Sequence, residues 1–138
     1  MSVPVHERSE AKLSFLIFAE KLENLTADIV MNEKYVPKKY RYVWVQKVFQ
    51  LSMNIFENVR RGHILSSDAT KMFNTRIKFF LLAGTDTEAL LSQIAFARKR
   101  FSIPSGLFEQ WEKMCLMTKK AIETKIKDDC KARKNEMN

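Results

Sequence analysis

Two histidines and two cysteines are the residues of this chain most suited to binding a metal ion or acting as nucleophiles. His6 and His63 have no second His, Cys or carboxylate at the spacing that zinc sites use, so the sequence predicts no metal site. Cys115 recurs with apolar neighbours at helical spacing, which is typical of a small core residue. No glycine-rich phosphate loop is present. We therefore expect no cofactor and no catalytic centre.

Ribonucleases are the enzyme class whose residue spacing we compare with this sequence. Some four-helix ribonucleases use an Arg with a His five to seven residues after it. Here the residues at those positions before His63 are Phe56, Glu57 and Asn58, so the pattern is absent. A helical ribonuclease or toxin would have to use Arg60 or His63 instead. This enzyme is the least favoured of three hypotheses for the chain.

Positive charge is the strongest chemical signal in the sequence. The chain has 24 Lys and Arg against 16 Asp and Glu, for a net charge of +8. Residues 37–63 contain six basic residues and one acidic residue, whereas residues 1–36 contain four and six. Such an excess indicates anionic partners rather than a particular fold. The basic residues form clusters at Lys38, Lys39 and Arg41, at Arg60 and Arg61, at Arg98, Lys99 and Arg100, and at Lys119, Lys120, Lys125 and Lys127.

The positions of these clusters in the predicted helices separate two interpretations. Cations near a helix C-terminus complement the helix dipole, which accounts for Arg60–Arg61 and for residues 98–100 without any ligand. Lys38, Lys39 and Arg41 lie at a helix N-terminus, where cations are mildly unfavourable. This cluster therefore predicts phosphate contact. The nearby tyrosines are predicted either to stack on bases or to pack at the bundle end, and the sequence leaves both alternatives open for Tyr35, Tyr40 and Tyr42.

Apolar residues recur at steps of three and four along most of the chain, which predicts four amphipathic helices. Two features stay open: a strand over 42–49, where β-branched residues are frequent, and a break in the third helix at Gly84. Gly62 is predicted to cap the second helix, and Ser9 and Ser66–Asp68 to cap the first and third. The predicted helices are 9–32, 39–61, 68–101 and 105–128.

These helices and their short connections predict an all-α, up-and-down four-helix bundle. The bundle is expected to occupy residues 9–128, between an arm at 1–8 and a polar tail at 129–138. The second helix has a second apolar stripe at Val45, Phe49 and Phe56, which indicates packing against a neighbour as well. No apolar run approaches the length of a membrane span, and no signal peptide or disulfide framework is evident. We therefore expect a cytoplasmic protein with no membrane partner.

Three segments of the chain resemble one protein family. The opening MSVPVHERSEAKL, the segment NEKYVPKKYRYVW and the segment LLSQIAFARKRFSI before a Trp-containing last helix are similar to the accessory variability determinant (Avd) proteins of diversity-generating retroelements. The similarity covers most of the chain in order, apart from residues 62–88. Its most specific part is NEKYVPKKYR.

The resemblance implies a non-catalytic four-helix bundle that assembles into a homopentameric ring. It implies binding to the reverse transcriptase of the element and to its template RNA or cDNA, in support of mutagenic cDNA synthesis. By position, the binding residues would be Lys38, Lys39 and Arg41, together with Arg76, Lys78 and Lys99. The other hypothesis that remains is a bundle of the kind encoded within ribosomal RNA intervening sequences, which associates with RNA but has no polymerase partner.

Overall fold

Four α-helices form the part of the chain that the computed structural model describes, which is residues 13–65 and 70–137. The predicted arm at 1–8 and the predicted caps at Ser9 and Ser66–Asp68 lie outside these residues. Each helix packs along two others, α1 on α2 and α4, and α3 on α2 and α4. Short connections join consecutive helices, so the chain is an all-helical four-helix bundle, as predicted. The helices are α1 (Ser14–Val30), α2 (Gln46–Ile64), α3 (Thr70–Arg100) and α4 (Ser105–Met137).

The core follows the predicted apolar stripes. On α3 the buried positions Phe80, Ala83, Thr87, Leu90, Ile94 and Ala97 recur at steps of three and four. Trp111 on α4 is fully buried, and its indole N–H donates to Thr26 Oγ1 of α1 at 2.9 Å. Burial of such large apolar side chains stabilises the bundle by roughly 1.5–3 kcal/mol each. No helix in the described ranges combines the length and apolarity needed to cross a membrane.

The connection from α1 to α2 leads into an irregular helical start. Pro37, with φ −54° and ψ 146°, precedes a 3-10 turn at Lys38–Tyr40 and a π-helical turn at Arg41–Val45, and α2 then begins. The alternative of a strand over 42–49 is therefore wrong. The rings of Tyr40 and Trp44 both contact Phe101 at the end of α3, at centroid distances of 4.9 and 4.8 Å. Packing against α3 thus decides this segment in favour of helix.

Gly62 does not cap α2, contrary to the prediction. The helix continues to Ile64, and Gly62 lies buried against α3 with no positive φ. A Cβ atom at this position would lie 2.5 Å from Cε1 of Phe80. Glycine is therefore required here by the close approach of two helices rather than by a helix end.

The third helix is continuous, as the single-helix interpretation predicted. It passes through Gly84 without a break, and the hydroxyl of Thr85 donates to the carbonyl oxygen of Leu81, four residues earlier. A lone glycine costs an exposed helix about 1 kcal/mol, which the packing of the flanking turns offsets.

The fourth helix is longer than predicted. Residues from 129 onward were expected to form a polar tail, but α4 continues to Met137. Asp129 is buried and paired with Arg76 of α3, and the guanidinium of Arg133 lies over the ring of Phe73 at 5.6 Å. These contacts with α3 stabilise the last turns of the helix, and a low hydrophobic content does not reveal them.

Candidate nucleic-acid interface

Two basic clusters that are far apart in the sequence lie at the same end of the bundle. Lys38, Lys39 and Arg41 precede α2, and residues 98–100 end α3. Because Tyr40 and Trp44 both contact Phe101, these two segments are neighbours. We call this surface the basic end and define it by six residues: Lys38, Lys39, Arg41, Arg98, Lys99 and Arg100.

The half of the basic end that precedes α2 is exposed and only partly neutralised. Lys38 and Lys39 are exposed, and neither forms an ion pair with any described residue. The Nζ of Lys39 lies 5.4 Å from the centre of the Tyr40 ring. Arg41 donates from Nη2 to Glu33 Oε1 at 2.9 Å, and both side chains remain about half exposed. Among the described residues, one of these three cations therefore has a carboxylate partner.

The half of the basic end contributed by α3 likewise has more cations than carboxylate partners among the described residues. Arg98 pairs with Glu112 of α4 at 2.8 Å and lies 5.5 Å from the centre of the Phe108 ring. Arg100 lies over Phe96 at 5.3 Å, and Lys99 is exposed. Exposed ion pairs contribute only about 0–1 kcal/mol. A phosphate can therefore compete for these arginines at little cost to the fold.

The structure separates the three tyrosines that the sequence left undecided. Tyr35 and Tyr40 are partly buried and pack against the core. Tyr42, in the π-helical turn, is 75% exposed. Packing therefore holds for Tyr35 and Tyr40, whereas Tyr42 keeps an open aromatic face.

An apolar groove of about 330 Å³ borders the basic end. Val36, Val45 and Phe49 are among its lining residues, and Lys38 and Arg41 also line it. The sequence did not predict a groove at this place. Its signal is the second apolar stripe of the second helix, because Val45 and Phe49 belong to that stripe.

Arg60 and Arg61 lie at the opposite end of the bundle, where α2 finishes. Arg61 pairs with Glu57 at 2.7 Å, and the guanidinium of Arg60 lies 5.8 Å from the centre of the Phe56 ring. Both line a second groove of about 540 Å³ that also contains Met53 and Ile64. Lys78 is exposed on the first half of α3. The structure therefore does not join these three cations to the basic end.

Arg76, expected by position to bind a partner, is buried and is not part of the candidate surface. It donates from Nε to Asp129 Oδ2 and from Nη1 to the carbonyl oxygen of Leu65, both at 2.7 Å. Its guanidinium also lies 5.3 Å from the centre of the Phe80 ring. These contacts tie α3 to α4 and to the end of α2, so Arg76 has a structural role.

The surroundings of Cys115, which is buried, and of His63, which is exposed, shift the pKa of each side chain. Burial, and to a lesser extent the nearby Glu88, raises the pKa of the Cys115 thiol to about 12. Burial lowers the pKa of His63, with further lowering by the charges of Arg76 and Lys125. Across residues 13–65 and 70–137, no three His, Cys, Asp or Glu side chains are grouped to hold a metal ion. The chemistry that the arrangement supports is the binding of anions.

No protein-family model, no curated protein and no solved structure matches this chain.

Proposed function

We propose that this protein is a non-catalytic accessory protein of a diversity-generating retroelement. In this role it binds the reverse transcriptase of the element, and its template RNA or cDNA, through the basic end. It thereby supports mutagenic cDNA synthesis. The polymerase supplies the chemistry, and the bundle supplies a rigid cationic surface.

The observation that carries this proposal is the meeting of two cationic segments at one end of the bundle. Lys38, Lys39 and Arg41 belong to NEKYVPKKYR, the most specific segment of the family resemblance. Residues 98–100 belong to LLSQIAFARKRFSI, another of the similar segments. The two similar segments are therefore also the ones that share a surface, through the contacts of Tyr40 and Trp44 with Phe101.

The charge of the basic end suits a polyanion. A protein that neutralises phosphates releases condensed counterions, so each Lys or Arg contact strengthens binding at low salt. Cations that lie on ordered helical segments rather than on flexible loops lose little conformational freedom when they bind. A nucleic acid alone would account for both the charge and the ordered position of these cations. The polymerase is proposed as a partner because of the family resemblance.

We further propose that the chain assembles into a homopentameric ring, with the α1–α2 face as an interface. This face carries two grooves with exposed apolar side chains, one lined by Met31 and Phe49 among others and the other by Met53, Phe56 and Ile64 beside charged residues. Apolar surface of this kind is stabilised when a second copy covers it. Five copies would also multiply the net charge of +8 about fivefold and strengthen the attraction of anions. Light scattering after size-exclusion chromatography should give about five times the chain mass of 16.2 kDa; a monomer would contradict the ring.

The partner is tested by co-purification with a reverse transcriptase encoded beside this gene. The wild-type protein should retain the polymerase, and replacement of Lys38, Lys39 and Arg41 together by Ala should release most of it. The matched control replaces Lys71 of α3 together with Lys131 and Lys134 of α4 by Ala. These lysines are exposed at the end of the bundle opposite the basic end, and their replacement removes the same charge. Circular dichroism should show both variants folded.

Three results would count against the proposal in different ways. Equal loss in both variants would mean that net charge, and not the basic end, attracts the polymerase. Retention of RNA without any polymerase would favour the bundle type of ribosomal RNA intervening sequences. A genome that holds neither a nearby reverse transcriptase gene nor a template repeat would rule out the retroelement.

A further inference from the structure

Tyr42 is an aromatic side chain without a partner among the described residues. It is 75% exposed, whereas Tyr40 packs against Phe101 and Trp44 donates its indole N–H to Gln93 Oε1 at 2.9 Å. Aromatic side chains bury 150–250 Å² when they contribute to a core or an interface, so Tyr42 contributes little to the fold. Its large open ring face is available to a ligand.

The backbone at Tyr42 is held in position by the residues on either side of it. Tyr42 lies in the π-helical turn Arg41–Val45, a rare form of helix that is frequent at functional sites. The residues two positions before and two positions after it, Tyr40 and Trp44, are both fixed against Phe101. Because the turn is anchored on both sides, the backbone at Tyr42 would lose little conformational freedom on binding.

The charges beside Tyr42 indicate which ligand suits it. Arg41 is its neighbour in the chain, Lys39 lies three residues before it, and Lys47 follows five residues after it. All three are exposed, and among the described residues only Arg41 has a carboxylate partner. An open aromatic face on a segment rich in cations is the combination by which proteins bind single-stranded nucleic acid, with bases stacked on the ring and phosphates on the cations.

The alternatives fit these observations less well. In a duplex the faces of the bases are stacked on each other, so an exposed tyrosine ring has nothing to stack on. An acidic protein segment would use the cations but would not require a planar ring. A strand with unpaired bases would contact both the cations and the ring.

We propose that Tyr42 stacks on an unpaired base of an RNA or DNA strand whose phosphates contact Lys39 and Arg41. The inference rests on the proposed function, since it assigns the basic end to a strand of nucleic acid. It goes beyond that function by making the site selective for single strands. It also assigns the affinity to two separable contributions, an electrostatic one from the cations and a salt-independent one from the ring.

Fluorescence anisotropy over a salt titration separates these contributions. The probes are short labelled RNA and DNA strands of one sequence and the duplexes formed with their complements. The protein is the full chain as wild type, Tyr42→Ala, Tyr42→Phe and Lys39→Ala, with Val43→Ala as the matched control. Val43 is 72% exposed and lies in the same π-helical turn, so its loss reports any general disturbance of that turn.

We expect Tyr42→Ala to weaken the binding of single strands by about fivefold to a hundredfold, the range given by loss of one base–aromatic stack. Its salt dependence should equal that of the wild type, whereas Lys39→Ala should make the dependence shallower. Tyr42→Phe should restore the affinity because it restores the ring, and Val43→Ala should bind as the wild type does. The tighter of the RNA and DNA strands identifies the strand that occupies the site, and either supports the inference.

The results that overturn the inference differ from those that overturn the proposed function. Tyr42→Ala binding like the wild type, or duplex binding as tightly as single strands, removes the stacking while leaving the cationic surface in place. A loss in Tyr42→Ala that Tyr42→Phe fails to restore also removes it. If the wild type binds no strand at any salt concentration, then the nucleic-acid part of the proposed function fails together with the inference.

Discussion

Arg76 of α3 and Asp129 of α4 form a buried ion pair in which Nε lies 2.7 Å from Oδ2. The same guanidinium donates to the carbonyl oxygen of Leu65, so three helices meet at one side chain. Lys125 adds a second cation, with its Nζ 3.2 Å from Asp129 Oδ1. The pair stands at the end of the bundle opposite the basic end and keeps the last turns of α4 against α3.

Replacement of Asp129 by Asn should destabilise the bundle strongly. The change keeps the size of the side chain but leaves Arg76 and Lys125 without their carboxylate, and breaking a buried ion pair costs about 3–5 kcal/mol. Urea unfolding followed by circular dichroism at fixed protein concentration measures the free energy of unfolding. The control is Arg61→Ala, which breaks the exposed pair with Glu57 and should cost about 0–1 kcal/mol. Equal effects of the two changes would show that burial of the Arg76–Asp129 pair does not matter.

Two of the three helical glycines, Gly62 and Gly84, should respond to Ala in opposite directions. At Gly62 the added Cβ meets the buried ring of Phe80, with the nearest ring atom at 2.5 Å, so Gly62→Ala should cost about 1–3 kcal/mol. At Gly84 no atom lies within 4 Å of the added Cβ, so Gly84→Ala should stabilise α3 by about 0.5–1 kcal/mol. Thermal unfolding of both variants measures the signs. A stable Gly62→Ala variant would mean that α2 and α3 do not approach as closely as described.

The two cysteines should differ sharply in their reaction with a thiol reagent. Cys130 is exposed, whereas Cys115 is buried and its pKa is raised to about 12. The thiolate is the reactive form of a cysteine. At a pH of about 8, roughly one Cys115 side chain in ten thousand would be a thiolate. A colorimetric thiol titration should detect one thiol in the folded protein and two in denaturant. Fast reaction of a Cys130→Ser variant without denaturant would contradict the burial of Cys115.

His63 should make the stability depend on pH in a predictable direction. Burial lowers its pKa below the usual 6.5, so the unfolded chain takes up a proton more readily than the folded one. The contribution to stability is therefore present above pH 6.5 and is lost as the pH falls below it. His63→Gln removes this titration, so acidification should reduce the free energy of unfolding of the wild type more than that of the variant. A constant difference between the two proteins across the same pH range would exclude the effect.

Hydrophobic periodicity was sufficient to predict the helices and their order, because each stripe of the core repeats along a continuous segment. It was insufficient at places that depend on contacts between distant segments. The residue type alone suggests a cap at Gly62, yet the approach of Phe80 from α3 decides its role. No sequence pattern predicts the π-helical turn at Arg41–Val45.

The basic end, too, could be predicted from the sequence only in part. The cations of the two segments are evident in the sequence, and their meeting at one end follows from antiparallel neighbouring helices. The family resemblance placed Arg76 among them by position, whereas the structure buries it. Its position gives the missed signal, since Arg76 lies four residues before the buried Phe80 and thus on the core side of α3. Asp129 likewise continues the stripe of Ile122 and Ile126 at a step of three.

Reconstituted cDNA synthesis is the measurement that bears most directly on the proposed role. The components are the neighbouring reverse transcriptase, its template RNA and this protein, either as wild type or with Lys38, Lys39 and Arg41 replaced by Ala. We expect the cDNA yield to depend on the wild-type protein, to fall with the triple variant and to be kept by the control variant at Lys71, Lys131 and Lys134. Equal cDNA yield and equal error frequency with and without the protein would contradict it.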